Sequence, residues 1–165
     1  MNFSINKNKL QELLLEHQKV VPIRTTLPVL SCALIKVFKE ELTIKTTDLE
    51  QTIISKTKIK EEKEGEVCVL MSKLTEIVSA LPNEEIRISV NEDLLVEINS
   101  NQGTYKITGR SSEEFPESST PQTKETIEIK GKHFVDIIDK TSFATSKDDL
   151  KPALSGVYLK IENKT

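Results

Sequence analysis

The chain has 165 residues, 36% hydrophobic and 30% charged, with aromatics at 4%, no Trp and a formal net charge of −3. This balance excludes wholesale disorder and predicts a globular protein of one domain, or one domain plus part of another, with a core of Leu, Ile and Val. No apolar run approaches the ~20 residues a membrane-spanning helix needs, and a net-negative chain is not held on nucleic acid by a bulk basic surface.

The opening Met1-Asn2-Phe3-Ser4-Ile5 alternates as a strand does, with no basic-then-apolar leader, so a cytoplasmic location is expected. Asn6 is a helix cap, and Leu10, Leu13, Leu14 and His17 follow at helical spacing, predicting a helix over 7–19. Residues 20–27 read as a loop carrying Pro22 and Arg24. Strands are predicted over 29–38, 42–47 and 52–59, and the Lys/Glu-rich stretch 60–65 reads as a solvated turn. Cys32 and Cys68 each sit in an apolar, strand-like run, as expected of two reduced, buried thiols.

A second unit of the same design begins at Glu66. Val67, Val69 and Met71 alternate, Ser72 is placed to cap a helix bearing Leu74, Ile77, Val78 and Leu81, and Pro82 ends it. Strands are predicted over 85–90, 94–99 and 104–109. The fold class is therefore α+β, with two helices packed on one face of curved antiparallel sheet. Residues 111–125, rich in Glu, Ser, Thr and Pro, read as a linker between domains. Beyond it the chain repeats itself. Phe3 and Ile127 lie 124 positions apart, and the same offset pairs Leu10 with Phe134, Leu13 with Ile137, Pro28 with Pro152 and Ser31 with Ser155. This predicts a complete first domain over 1–122 and the truncated start of a second copy over 123–165.

Several strings carry a resemblance. They are Arg24-Thr25-Thr26-Leu27-Pro28-Val29-Leu30, Thr46-Thr47-Asp48-Leu49-Glu50, Glu114-Phe115-Pro116, Thr141-Ser142-Phe143-Ala144-Thr145-Ser146 and Lys151-Pro152-Ala153-Leu154-Ser155-Gly156-Val157. In this order and spacing the chain resembles the amino-terminal part of bacterial sliding clamps, the beta subunits of DNA polymerase III. The resemblance implies the DNA-clamp fold and a ring of two three-domain subunits joined head to tail around double-stranded DNA. It also implies the replicative polymerase and the clamp loader as partners of the full-length homodimer, with no cofactor and no membrane. The ring acts by tethering, which raises the polymerase's effective concentration at the primer end. Ring closure is not expected of this chain by itself.

The same resemblance implies DNA contacts at Arg24, Ser72, Lys73, Lys147 and Lys151, a subunit joint at Ile77, Tyr105 and Ile107, and one wall of a partner-peptide pocket at Leu154. Read from the residues alone, Ser72 is first a cap and Ile77 is equally a core residue; the resemblance also implies that Asp148, standing where relatives commonly carry a neutral contact residue, opposes close phosphate contact there. Charges on the helix faces are mixed, which suits weak attraction and sliding. The sequence holds no Gly-rich phosphate loop, no Cys-x-x-Cys and no His-Glu-x-x-His, so a non-catalytic subunit without bound metal is expected. His17 and His133 are expected at the surface or at the core boundary. The alternative is a fragment of an unrelated α+β metal-dependent hydrolase or transferase using Asp48, Glu50 and His17.

Overall fold

A computed structural model of the chain describes residues 1–117, 127–148 and 150–161, and the chain divides into two units, Met1–Ser119 and Thr120–Thr165. The first unit begins with strand β1 (Asn2–Asn6), which buries Phe3 and Ile5 and runs straight into helix α1 (Lys7–His17). Asn6 makes that junction, because its side-chain oxygen accepts the amides of Asn8 (3.0 Å) and Lys9 (3.4 Å), which have no partner within the helix. Leu10, Leu13, Leu14 and His17 form the buried stripe of α1. The helix stops two residues before the predicted end, in a turn closed by the Val20 amide on the His17 carbonyl.

The predicted strand at 29–38 starts later than the apolar run suggested. Pro28–Ser31 forms a single 3₁₀ turn, since proline fixes its own φ at a turn start, and β2 (Cys32–Phe38) follows. Then come β3 (Glu41–Thr47), β4 (Thr52–Lys58) and β5 (Lys60–Lys63). The last of these corrects the expectation of a solvated turn: β5 pairs antiparallel with β1. An edge strand needs no apolar face to form when a neighbour offers an open row of backbone donors and acceptors, so its polar composition hid it.

The second half runs β6 (Gly65–Leu70), α2 (Met71–Ala80), β7 (Glu85–Val90), β8 (Leu95–Ser100) and β9 (Gly103–Thr108). Ser72 is not the cap of α2. The helix begins at Met71 after Leu70, without a side-chain cap, because the chain leaving β6 turns Met71 into the core while Leu70 stays partly exposed. Met71, Leu74, Thr75 and Val78 are its buried stripe.

The strands form two antiparallel sheets, ordered β5-β1-β7-β8-β9 and β4-β3-β2-β6. Each half lends its first strand to the other: β1 pairs with β7, and β6 pairs with β2. The halves are thereby interlocked, and α1 and α2 pack against each other over a shared core. That core draws on β1, β2, β3, β6, β7, β8 and β9 as well as both helices. Burying some twenty Leu, Ile, Val, Phe and Met side chains at ~1.5–3 kcal/mol each is what offsets the entropy of ordering the backbone.

Alternation decides what lies on the other side of the second sheet. Ala33, Ile35 and Val37 of β2 face the main core, whereas Cys32 faces outward with Val29 and with Cys68 of β6, under the buried ring of Phe115. The chain after β9 is fastened there. Arg110 and Cys68 exchange both backbone hydrogen bonds (2.8 and 3.0 Å), and the Ser112 hydroxyl donates to Glu66 at 2.7 Å. The first residues of the predicted linker therefore belong to the first unit; the rest of it from residue 118, with the boundary placed at 122, lies outside the described residues.

In the second unit the helical elements recur at the offset of 124. Helix α3 (Gly131–Ser142) repeats α1, and the short α4 (Pro152–Ser155) repeats the turn at Pro28–Ser31. The repeated strands do not form: residues 127–130 and 156–161 are not strand. A helix satisfies its backbone within itself, whereas a strand requires a neighbour. Phe134 and Val135 of α3 are exposed, as is Leu154.

Candidate nucleic-acid interface

The loop after α1 and the entrance to α2 meet in a groove. One part, a cavity of about 470 Å³, lies between residues 18–23 of the loop and Leu70, Met71 and Ser72. The other, of about 930 Å³, runs on past Arg24 to the segment after β9, where Arg110 and Glu114 line it. Ile23, Ser31 and Leu70 border both. The fold thus brings Arg24 and Ser72, 48 residues apart in sequence, onto two adjoining cavities. Arg24 is exposed, and the Thr25 hydroxyl accepts from the Leu27 amide at 3.0 Å, shaping the loop that carries it. Ser72 is exposed in the first turn of α2.

Lys73 follows Ser72 on the helix surface, but its ammonium is held by Glu76 at 2.9 Å, with side chains 60% and 68% exposed. So open a pair is weak and readily exchanged for another anion. On the outward faces of the two helices and in the turn after α1, Lys9, Lys73 and Lys19 are balanced by Glu12, Glu16 and Glu76, all exposed. The groove is different: its charged residues are Arg24, Arg110 and Glu114, a net positive site on a net-negative chain.

Sequence reasoning missed Arg110. Its signal was compositional. Only three of the 23 basic residues are arginines, Arg24, Arg87 and Arg110, and two of those three share this cavity. The Arg110 side chain is half-exposed and touches Glu114 at 3.4 Å, while its backbone is locked to β6. Gly109 sets that backbone in place. A Cβ there would meet Val67 Cγ2 at 2.6 Å and the Leu94 carbonyl at 2.8 Å, so only glycine lets the strand pass.

Cys32 forms part of the floor of the same cavity, 2% exposed, with Cys68 fully buried behind it. Burial raises the Cys32 thiol above its usual pKa and pushes Cys68 up to about 12. With so little thiolate, both are expected to resist a thiol reagent at pH 8 and to react only at the rate of unfolding. Rapid labelling of either in the native chain would show that the cavity floor opens.

The candidate joint is less uniform than expected. β9 is an edge of its sheet, so its outer backbone row is open. Ile77 and Tyr105 are half-buried at the margin of the core. Ile107, expected at the joint, is instead a core residue only 9% exposed, because its side chain falls on the inner face of β9. In the second unit Lys147 and Lys151 are exposed. They sit in a loop closed by the Ser146 amide on the Leu154 carbonyl (2.8 Å), and Leu154 is 58% exposed. The residue repeating Arg24 there is Asp148, of opposite charge.

Nor do the residues of the alternative reading assemble a catalytic centre. His17, expected at the surface or the core boundary, is fully buried, with Nδ1 2.8 Å from the Thr46 hydroxyl. It closes the C-terminal end of the α1 stripe. Asp48 spends one carboxylate oxygen on the amides of Glu50 (3.0 Å) and Gln51 (2.6 Å), shaping the turn in which Leu49 takes a φ of 81°. No group of three or more His, Cys, Asp or Glu that could hold a metal occurs among the described residues, and no described helix is long and apolar enough to cross a membrane.

Two interlocked antiparallel sheets under a pair of helices, with a mildly basic groove beside them, define an α+β clamp domain. A family model described as the DNA polymerase III beta subunit, N-terminal domain, matches residues 1–121, and the chain belongs to that family. It is 28% identical over 163 residues to the beta sliding clamp of Chlamydia pneumoniae, covering 99% of this chain and 44% of that protein. Among solved structures it resembles Caulobacter crescentus pol III beta with a TM-score of 0.91 at 26% identity, covering 100% of this chain and 45% of that one. The DNA polymerase III subunit beta from Pseudomonas aeruginosa gives 0.87 at 28%, covering 94% and 43%. The chain spans less than half the length of these relatives.

Proposed function

We propose that this chain is the amino-terminal part of a sliding clamp, a non-catalytic processivity factor of the replicative DNA polymerase. In the full-length protein two subunits close head to tail around duplex DNA in the cytoplasm, receive the DNA from a clamp loader and tether the polymerase. The observation that carries this reading is the family match over residues 1–121 together with a likeness that extends through the second unit. The two buried thiols suit a reducing compartment.

Within the first unit, Arg24 and Ser72 face the DNA from the groove, and Lys73 joins them by exchanging Glu76 for phosphate. Lys147 and Lys151 supply the weaker contacts of the second unit, with Asp148 between them keeping that loop from holding DNA closely. The charge-balanced helix faces fit a ring that must slide, since each tight phosphate contact acts as a brake. The subunit joint uses Ile77, Tyr105 and the open backbone edge of β9, with Ile107 anchoring that strand from the core side. Leu154 contributes one wall of a peptide pocket whose other walls come from elsewhere in the full-length protein.

Arg24→Ala in the full-length protein is the direct test. An exposed loop substitution of this kind changes stability by no more than about 0.5 kcal/mol. Retention on circular DNA and the rate of loading should fall while the thermal midpoint stays put. Unchanged loading and retention, or a misfolded variant, would count against a DNA-facing Arg24.

A further inference from the structure

We infer that Arg24 and Arg110 together form a two-guanidinium seat for one phosphate of the encircled DNA, with Glu114 as the internal anion that the phosphate displaces. The inference rests on the DNA-facing reading of Arg24 and adds to it a residue, a competitor and a geometry. Its first support is the choice of side chain. This chain meets its need for positive charge almost everywhere with lysine, and two of its three arginines line one cavity. A guanidinium offers a planar fork of donors matched to an oxyanion, which an ammonium does not. Two forks on one concavity fit a group with several equivalent oxygens.

The second support is preorganisation. The Arg110 backbone is fixed by both hydrogen bonds to Cys68, by the tight passage at Gly109 and by the buried Phe115 five residues on, yet its side chain is half-exposed. The support is rigid and the head is available. Thr25 and Ser31 add hydroxyls on the Arg24 side, and Ser111 adds one beside Arg110.

The third support is Glu114. Its carboxylate already occupies one guanidinium, at a long 3.4 Å and with both partners about half-exposed. The arrangement holds the fork in place without binding it tightly, so a phosphate replaces the carboxylate at little cost. A site emptied and refilled in this way suits a sliding ring. Shape favours nucleic acid over an acidic peptide as the occupant: a second cavity, bordered by Ser72, adjoins this one at Ile23, Ser31 and Leu70. That path suits a backbone of successive phosphates.

The three arginines also make the test simple, because the chain gives only three arginine Nε–H resonances. A short DNA duplex is titrated into the 165-residue chain at low salt. The resonances of Arg24 and Arg110 are expected to move together along one binding curve while Arg87, on β7, stays still. Arg110→Gln should weaken binding about tenfold and reduce the salt slope by about one, Arg110→Lys should restore the slope but not the affinity, and Glu114→Gln should tighten binding a few-fold. Backbone amide shifts of Cys68 and Gly109 certify that each variant is folded.

If Arg24 moves and Arg110 does not, the shared seat is overturned and the sliding-clamp reading stands. If neither moves, DNA contact at Arg24 fails as well. If an acidic peptide moves the pair and duplex does not, the cavity is a peptide site and the inference is wrong.

Discussion

Gly109→Val should lower the thermal midpoint of the first unit by roughly 10–15 °C, corresponding to about 3 kcal/mol. The reason is local and steric. At Gly109 the first side-chain atom alone would come within 2.8 Å of the Leu94 carbonyl oxygen, which also accepts the Gly109 amide at 2.9 Å, and within 2.6 Å of a methyl of Val67. Val67 is fully buried in the main core, so its methyl has nowhere to go, and Leu94 is held on a backbone with a φ of 60°. Relief is available only by lifting the chain after β9 off β6. That breaks the Cys68–Arg110 backbone pair and carries Arg110 out of its cavity. Gly131→Ala is the control: a Cβ there meets nothing within 4 Å at the start of α3 in the second unit, and the first unit's midpoint should not fall. Calorimetry on both variants decides the matter; an unchanged midpoint for Gly109→Val would mean that the passage at Gly109 is loose.

The second large effect is acid lability centred on His17. Its ring is fully buried, Nδ1 meets the Thr46 hydroxyl, and Nε2 has no partner in either tautomer. Burial lowers its pKa below the usual value, and the neighbouring Glu16 only partly opposes this. Above about pH 6.5 neither the folded nor the unfolded chain protonates the ring, so stability is at its full value. As the pH falls through 6.5 the unfolded chain takes up a proton that the folded chain refuses. Stability is then lost until the pH reaches the lowered folded value, at up to about 1.4 kcal/mol per pH unit for a single proton.

The Met1 amino group is also lowered, by burial and by Lys63, and acts from about pH 8 downward. The difference between the native chain and His17→Leu therefore isolates the histidine. The Glu66 carboxyl, held low by the hydrogen bond from Ser112 with help from Lys36, loses its contribution only below its ordinary range near pH 4.5. Urea titrations at pH 7 and pH 5 should show a loss in the native chain that His17→Leu lacks. Equal losses in both would place the acid sensitivity elsewhere.

Much of this protein could be read from its sequence because the informative features are local. The stripe of Leu10, Leu13 and Leu14, the cap at Asn6 and the alternation of β2 and β7 each follow from period and spacing over a few residues. The offset of 124 foretold α3 and the Pro152 turn because helices and tight turns satisfy their own backbone. The class of protein followed too, since the motif strings span the chain. What only the tertiary structure decided are matters of pairing and proximity. β5 is a strand because β1 offers an edge, and the residues repeating β1 are not, because nothing described pairs with them. Ser72 lost its role as a cap to the burial of Met71, and His17 went inside because Thr46, 29 residues later, closes over it. Arg110 joined Arg24 only once β6 had drawn the chain after β9 back across Cys68. Periodicity says which residues turn inward; which distant residues meet depends on how the two halves exchange their first strands.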